Sequence, residues 1–256
     1  SEMPVPAVAK LGLLRTFQQT RIYSKLNCVE NMLISHKASD SGFIFAKVPA
    51  ELTEKAENLL NYAASLMENT DSDELTFKRK EKDFRCVHLV ETPNTDFAFI
   101  LVRQFFIDVY NNLLYERLCG SSDETIAGIS KKSIKEVKYH LIRSRDWMIR
   151  LGQGTEESNN RLQTAVDELW MYTEELFTDN DTDISIAKEN IGPLNTDLKE
   201  PWMDIIKKTF EDSNINLPED IHFTLEYGKN GYHTEYLGYL LAEMQHLPLL
   251  YPDAKW

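Results

Sequence analysis

Residues 97–118 read FAFILVRQFFIDVYNNLLYERL and, after CGSSD, residues 124–151 read ETIAGISKKSIKEVKYHLIRSRDWMIRL. The first string predicts one long helix, because Leu101, Phe105, Val109 and Leu113 recur every fourth residue and draw an apolar stripe. Few positions outside that stripe are polar, so the helix is expected to be buried on most sides. Gly120 ends it, and Ser121 to Glu124 has the Ser-x-x-Glu spacing of a capping box. The second string, read as a helix over 123–151, carries a seven-residue seam of Ile134, Leu141 and Met148, with Val137, Ser144 and Leu151 alongside. A heptad seam faces a near-parallel or antiparallel helix. His140 sits beside it and is expected to point into a bundle.

Working outward, residues 11–33 show a loose helical period and Ser39 to Gly42 a turn. Pro49 suits a first helical turn. Leu52, Ala56, Leu59, Leu60, Ala63 and Leu66 then form an amphipathic stripe to about Glu68. Residues 78–83 are a charged, solvated run, 87–90 a short apolar segment and 91–96 a loop whose Asn94 to Asp96 can cap the long helix. Downstream, Gly152 and Gly154 bracket a tight link. Thr155 opens a helix with Leu162, Val166, Leu169, Trp170, Leu176 and Phe177 on one face. Residues 178–183 read as an acidic loop, and 184–196 hold no period. Pro201 opens a shorter helix with Trp202, Ile205, Ile206 and Phe210. Residues 214–231 are mixed, and Thr234 starts a last helix that Pro248 stops. No strands alternate with these helices, which argues against a parallel sheet. The expected architecture is an all-α bundle of long antiparallel helices with a helical C-terminal elaboration, one domain over 1–256.

With 256 residues, 42% of them hydrophobic, the chain can bury a substantial core. Forty-one acidic against 28 basic residues leave a net charge of -13, which repels nucleic acid and anionic membrane surfaces. Cys28, Cys86 and Cys119 are far apart and no pair has metal-ligand spacing, which suits a reducing cytosol. No apolar run is read as approaching the roughly 20 residues of a membrane span. The opening residues lack the pattern of a signal peptide.

A helical bundle can hold a carboxylate-bridged di-iron centre if its helices supply two Glu-x-x-His pairs and two further Glu. Glu219 to His222 lies beside Pro218, and Glu243 to His246 lies just before Pro248; neither has a matching partner helix. His140 is better placed, but the residue three before it is Val137. Glu136 is one position off and is read as pointing elsewhere, while Asp108, one helix and a turn away, is at matching depth. Asp108, Val137 and His140 therefore read as degenerate di-iron positions, with His140 hydrogen-bonded to a carboxylate such as Asp108. No catalytic, cofactor-binding or metal-binding residue is assigned, and no stoichiometric metal is expected in the bundle core. His233 and Glu235 read as structural residues at the start of the last helix, where Glu235 suits the helix dipole.

The segments Glu91-Thr-Pro-Asn-Thr-Asp-Phe-Ala98, Arg103-Gln104, Ile134-Lys-Glu-Val-Lys-Tyr-His140, Arg150-Leu-Gly-Gln-Gly-Thr155, His233-Thr-Glu-Tyr-Leu-Gly238 and Leu240-Leu-Ala-Glu-Met-Gln245, with the closing Tyr251-Pro252 and Trp256, resemble the C-subunit family of the bacterial phenylacetyl-CoA ring epoxidase. The resemblance runs from about Val48 to Trp256, and residues 1–47 match poorly. It implies a ferritin-like, noncatalytic structural subunit of the cytoplasm, without a working di-iron site and with no cofactor of its own. The implied partners are a di-iron catalytic A subunit, which it supports, and a reductase subunit in the larger complex that turns phenylacetyl-CoA into its ring epoxide. The chain is then an enzyme component and not an enzyme alone, in contrast to a self-sufficient ferritin-like di-iron oxidase or iron-binding protein, or to an unrelated helical adaptor.

Overall fold

The computed structural model describes residues 50–218 and 227–251. The helical period over 11–33, the turn at Ser39 to Gly42, the Glu219 to His222 string and the closing Pro252 and Trp256 lie outside the described residues. The helices are α1 (Ala50–Ser65), α2 (Phe97–Leu118), α3 (Glu124–Gly152), α4 (Glu156–Trp170), α5 (Asp181–Lys188), α6 (Lys199–Ser213) and α7 (Glu235–Leu250). Short tight helical turns link several of them, and no described residue forms a strand. The protein has an all-α, ferritin-like bundle fold. The chain groups into two compact units: residues 85–234, and residues 1–84 together with 235–256.

In the unit of residues 85–234, α2 packs against α3, α4 and α6. The rings of Phe97 and Trp147 lie 5.6 Å apart, and Lys138 reaches Glu116 at 3.1 Å. The start of α2 thus meets the end of α3, so the pair is antiparallel as expected. Val102, Phe105, Phe106 and Val109 are fully buried, and Arg103, Ile107 and Asp108 between them are buried too. The helix is enclosed around most of its girth by its own chain. By length and composition α2 could cross a membrane, which revises the sequence expectation, but it is mostly buried in the way of a core helix.

The face that α3 turns inward is not the expected seam. Val137, Ser144 and Met148 are buried as anticipated, joined by Ala127, Ser130, Ser133 and Gly152, whereas Ile134, Leu141 and Leu151 are only half-buried. Small residues let the neighbouring backbones come close. At Gly152 a Cβ would stand 2.0 Å from the Ser213 carbonyl oxygen at the end of α6.

Aromatic packing closes the core. Trp202 of α6 is fully buried, with ring centroids of Phe106, Trp170 and Phe177 at 5.6, 5.9 and 5.3 Å. Its indole Nε1 donates to the Phe106 carbonyl at 3.0 Å, which satisfies the one polar group that burial would otherwise strand. Large apolar side chains buried in this way contribute about 1.5–3 kcal/mol each.

The helix ends refine the sequence reading. Asp96 caps α2, accepting from the Phe99 N–H at 2.8 Å. Asp123, not Ser121, caps α3, accepting from the N–H groups of Thr125 and Ile126 at 2.9 Å each, and Glu124 is the first helical residue. Residues 181–188 are helical where a loop without period was expected. A capping box between Asn180 and Asp183 starts this short helix, which has too few turns to display a face. In the other unit, α7 runs past Pro248 to Leu250, with Pro248 in its last turn. There α7 packs on the turn Glu74–Lys78, whose Phe77 is buried, and Gln245 donates to the Arg79 carbonyl at 2.8 Å. Residues 78 and 80–83 are exposed, as the charged run predicted.

The α3–α6 crossing yields a direct test. Gly152→Ala forces two backbones apart and should lower unfolding free energy by roughly 1–3 kcal/mol, measured by urea denaturation, with helicity kept in the folded baseline.

Candidate functional site

The positions singled out from sequence do not assemble into a metal centre. Asp108 is buried on α2 and accepts from the Gln104 amide four residues earlier. Val137 is 3% exposed and packs in the core of the α2–α3 pair. His140 is half-buried, and the carboxylate beside it is Glu136, with Nε2 and Oε1 3.5 Å apart. This corrects the reading that His140 pairs with Asp108 and that Glu136 points elsewhere: residues four apart share a helix face. The 3.5 Å contact is not a hydrogen bond, and both atoms are buried without one. Asp108, Glu136 and His140 do not converge, since among the described residues a different trio gathers metal-ligating atoms. Two irons would need more bridging carboxylates and a second imidazole, so these residues do not fit a di-iron centre. Glu243 and His246 are exposed on α7.

A denser polar site lies where residues 86–96 meet residues 233–234. Glu91, in the tight turn His88–Glu91, has a fully buried carboxylate. Its Oε2 accepts from the Thr234 N–H at 2.7 Å and the Thr234 hydroxyl at 2.9 Å. Its Oε1 lies 2.6 Å from His233 Nδ1 and accepts from the Cys86 thiol at 3.2 Å. Cys86 Sγ is 3.9 Å from the same Nδ1. The partner of His233 is therefore Glu91, 142 residues away, and not Glu235, which opens α7.

Beside this knot stands a second buried histidine–carboxylate pair that the sequence reading missed. The fully buried Glu175 accepts from the His88 N–H at 2.6 Å and the Gly228 N–H at 2.6 Å, and His88 Nδ1 lies 3.1 Å from its Oε2. A Cβ at Gly228 would meet the Cys86 carbonyl oxygen at 2.3 Å, so only glycine fits there. The hydrogen bond that the ring donates to Glu175 raises the His88 pKa above its ordinary 6.5, against the opposing effect of burial. Arg103 of α2, 2% exposed, donates to the Thr92 carbonyl, to the Asn94 side chain and, at 3.1 Å, to the Thr92 hydroxyl. Burial pushes its guanidinium down to about 10.

An open cleft of about 760 Å³ runs between the start of α2 and α4, lined among others by Asp96, Glu156, Glu157, Arg161 and Glu168. Arg161 is taken up by Glu157 at 2.8 Å and Asp96 at 3.5 Å. The mouth is acidic, which disfavours a phosphate-bearing ligand.

The described helices form an all-α, ferritin-like bundle, and among the described residues the metal-ligating side chains that come together are not on its central pair, α2 and α3. Residues 45–256 match the phenylacetic acid catabolic protein family, and the chain belongs to it. The C subunit of the 1,2-phenylacetyl-CoA epoxidase of Escherichia coli (strain K12) is 40% identical over 211 residues, spanning 82% of this chain and 85% of that protein. The family match begins at residue 45, close to where the sequence resemblance begins.

The His88–Glu175 pair predicts a pH signature. Because the folded-state pKa of His88 is raised, the stability from the charged pair is complete below the unfolded histidine value of about 6.5 and is lost as pH rises through the folded value. The stability difference between the native protein and His88→Gln, measured by urea unfolding, should therefore shrink as pH is raised.

Proposed function

We propose that this chain is the noncatalytic structural subunit of a phenylacetyl-CoA epoxidase, pairing in the cytoplasm with a di-iron catalytic A subunit and working in the larger complex with a reductase subunit. The observation that carries this reading is Val137. It brings no donor atom to the buried position three residues before His140, where a bridging carboxylate is needed, and Asp108 on α2 is engaged by Gln104. The family membership and the similarity to the C subunit of an epoxidase support the pathway and the subunit type. The acidic lining of the cleft between α2 and α4 argues against coenzyme A phosphates binding there.

The apolar girth of α2 is covered by its own chain, so it makes no demand for a second protein. The outward face of α3 is more telling: Tyr139 and Ile142 are each 60% exposed there, next to the half-buried His140. Exposed aromatic and aliphatic groups on a long helix suit a subunit interface. A self-sufficient di-iron oxidase is the competing reading, and the donor set counts against it.

Reconstitution tests the proposal. Phenylacetyl-CoA, oxygen, a nicotinamide electron source, the reductase and the A subunit should give epoxide only when this chain is added, and this chain with the reductase alone should give none. Ile142→Asp should weaken co-purification with the A subunit at least tenfold while leaving the thermal midpoint of the isolated chain within a few degrees. Turnover by this chain without the A subunit would contradict the reading.

A further inference from the structure

We propose that Cys86, Glu91 and His233 form a binding site for a single divalent transition-metal ion, zinc by chemical preference, which staples residues 86–91 to residues 233–234. The ligand atoms Sγ, Oε1 and Nδ1 all lie within 4.8 Å of one another. They come from the tight turn His88–Glu91 and the stretch of chain just before it, and from a segment more than 140 residues away, so the site exists only in the folded chain.

The arrangement is that of ligands and not of a proton relay. In a nucleophile–base–carboxylate set the two imidazole nitrogens serve different partners. Here the thiol and the carboxylate both approach the same nitrogen, Nδ1, at 3.9 and 2.6 Å. Three donors converge on one point, which is the requirement for a shared cation. The set has one thiolate, one imidazole and one carboxylate, a mixture that suits zinc and related borderline ions better than oxygen-seeking magnesium or calcium.

Charge balance favours the ion in this environment. The His233 and Glu91 side chains are 1% and 0% exposed. A thiolate and a carboxylate cancel a divalent charge, so the occupied site is neutral, which limits the cost of burial. On binding, the thiol proton leaves to solvent, and the imidazole carries its remaining proton on Nε2 so that Nδ1 can bind the ion. No oxidation or reduction occurs. The carboxylate is already aimed, because both Thr234 donors hold Oε2 and present Oε1 to the other ligands. Tetrahedral zinc would set the donor atoms roughly 3.3–3.6 Å apart. The observed 2.6, 3.2 and 3.9 Å reach that by shifts of under about 1 Å once the ion replaces the bridging proton. Cys86 is half-buried, which leaves a route for entry and a fourth position for water. The site is separate from Asp108, Val137 and His140, and it supplies no oxygenase chemistry.

The test is cobalt titration of the metal-stripped, full-length chain, followed by absorption spectroscopy. The expected result is one cobalt per chain, with a thiolate-to-cobalt charge-transfer band and intense visible bands of four-coordinate cobalt, both displaced by zinc. The charge-transfer band should vanish in Cys86→Ser and persist in the double variant Cys28→Ser, Cys119→Ser, in which Cys86 is the sole thiol. Zinc should raise the thermal midpoint of the native chain and not that of Cys86→Ser. The double variant keeps the test decisive even where Cys86→Ser does not fold. A folded native chain with no charge-transfer band, or a band lost in the double variant, overturns the proposal. Either result leaves the subunit assignment standing, since that rests on Val137 and the family match.

Discussion

A single buried carboxylate organises the polar interior of the larger unit. Glu91 has no contact with solvent, yet four donors from three residues reach it: the Thr234 amide and hydroxyl, His233 and Cys86. A carboxylate in that position is tolerable only because each oxygen is satisfied. Its neighbours in the run from Glu91 to Asp96 are spent in the same way. Thr92 and Asn94 receive the buried Arg103, and Asp96 caps α2. The loop before the central helix is thereby fixed at several points, and through Arg103 it is fixed to the helix itself.

This polar investment bears on function. Ferritin-like bundles that carry irons place their carboxylates between the central helices. In this chain Val137 is buried on α3, Asp108 is held by an amide of its own helix, and His140 with Glu136 lies half-buried on α3. The strongly satisfied carboxylates, Glu91 and Glu175, instead anchor loops. On the proposed reading, Tyr139 and Ile142, exposed on a long helix of this bundle, are where another chain would be supported.

The long elements were legible because their signals are long. Twenty-two apolar-rich residues bounded by Asp96 and Gly120 predict α2 to the residue, and the wide range of α3 was read nearly as well. The inward face of α3 was misjudged because periodicity weights large residues, whereas Ser130, Ser133 and Gly152 are chosen for closeness. Helix α5 was missed for want of length. That Val137, and not a glutamate, stands three residues before His140 could be read from spacing within one helix. The Cys86, Glu91 and His233 cluster could not, because it depends on chain closure over more than 140 residues and on a cysteine with no partner at ligand spacing. His140 was matched to Asp108 by depth alone, whereas the four-residue spacing to Glu136 was the stronger local signal.

Whether the bundle core of this chain lacks a di-iron centre is decided most directly by Mössbauer spectroscopy with elemental iron analysis. The sample is the chain purified alone from iron-replete cells. No spin-coupled di-iron signal and only trace iron are predicted, whatever the zinc content. About two irons per chain with a coupled di-iron spectrum would contradict the structural-subunit assignment.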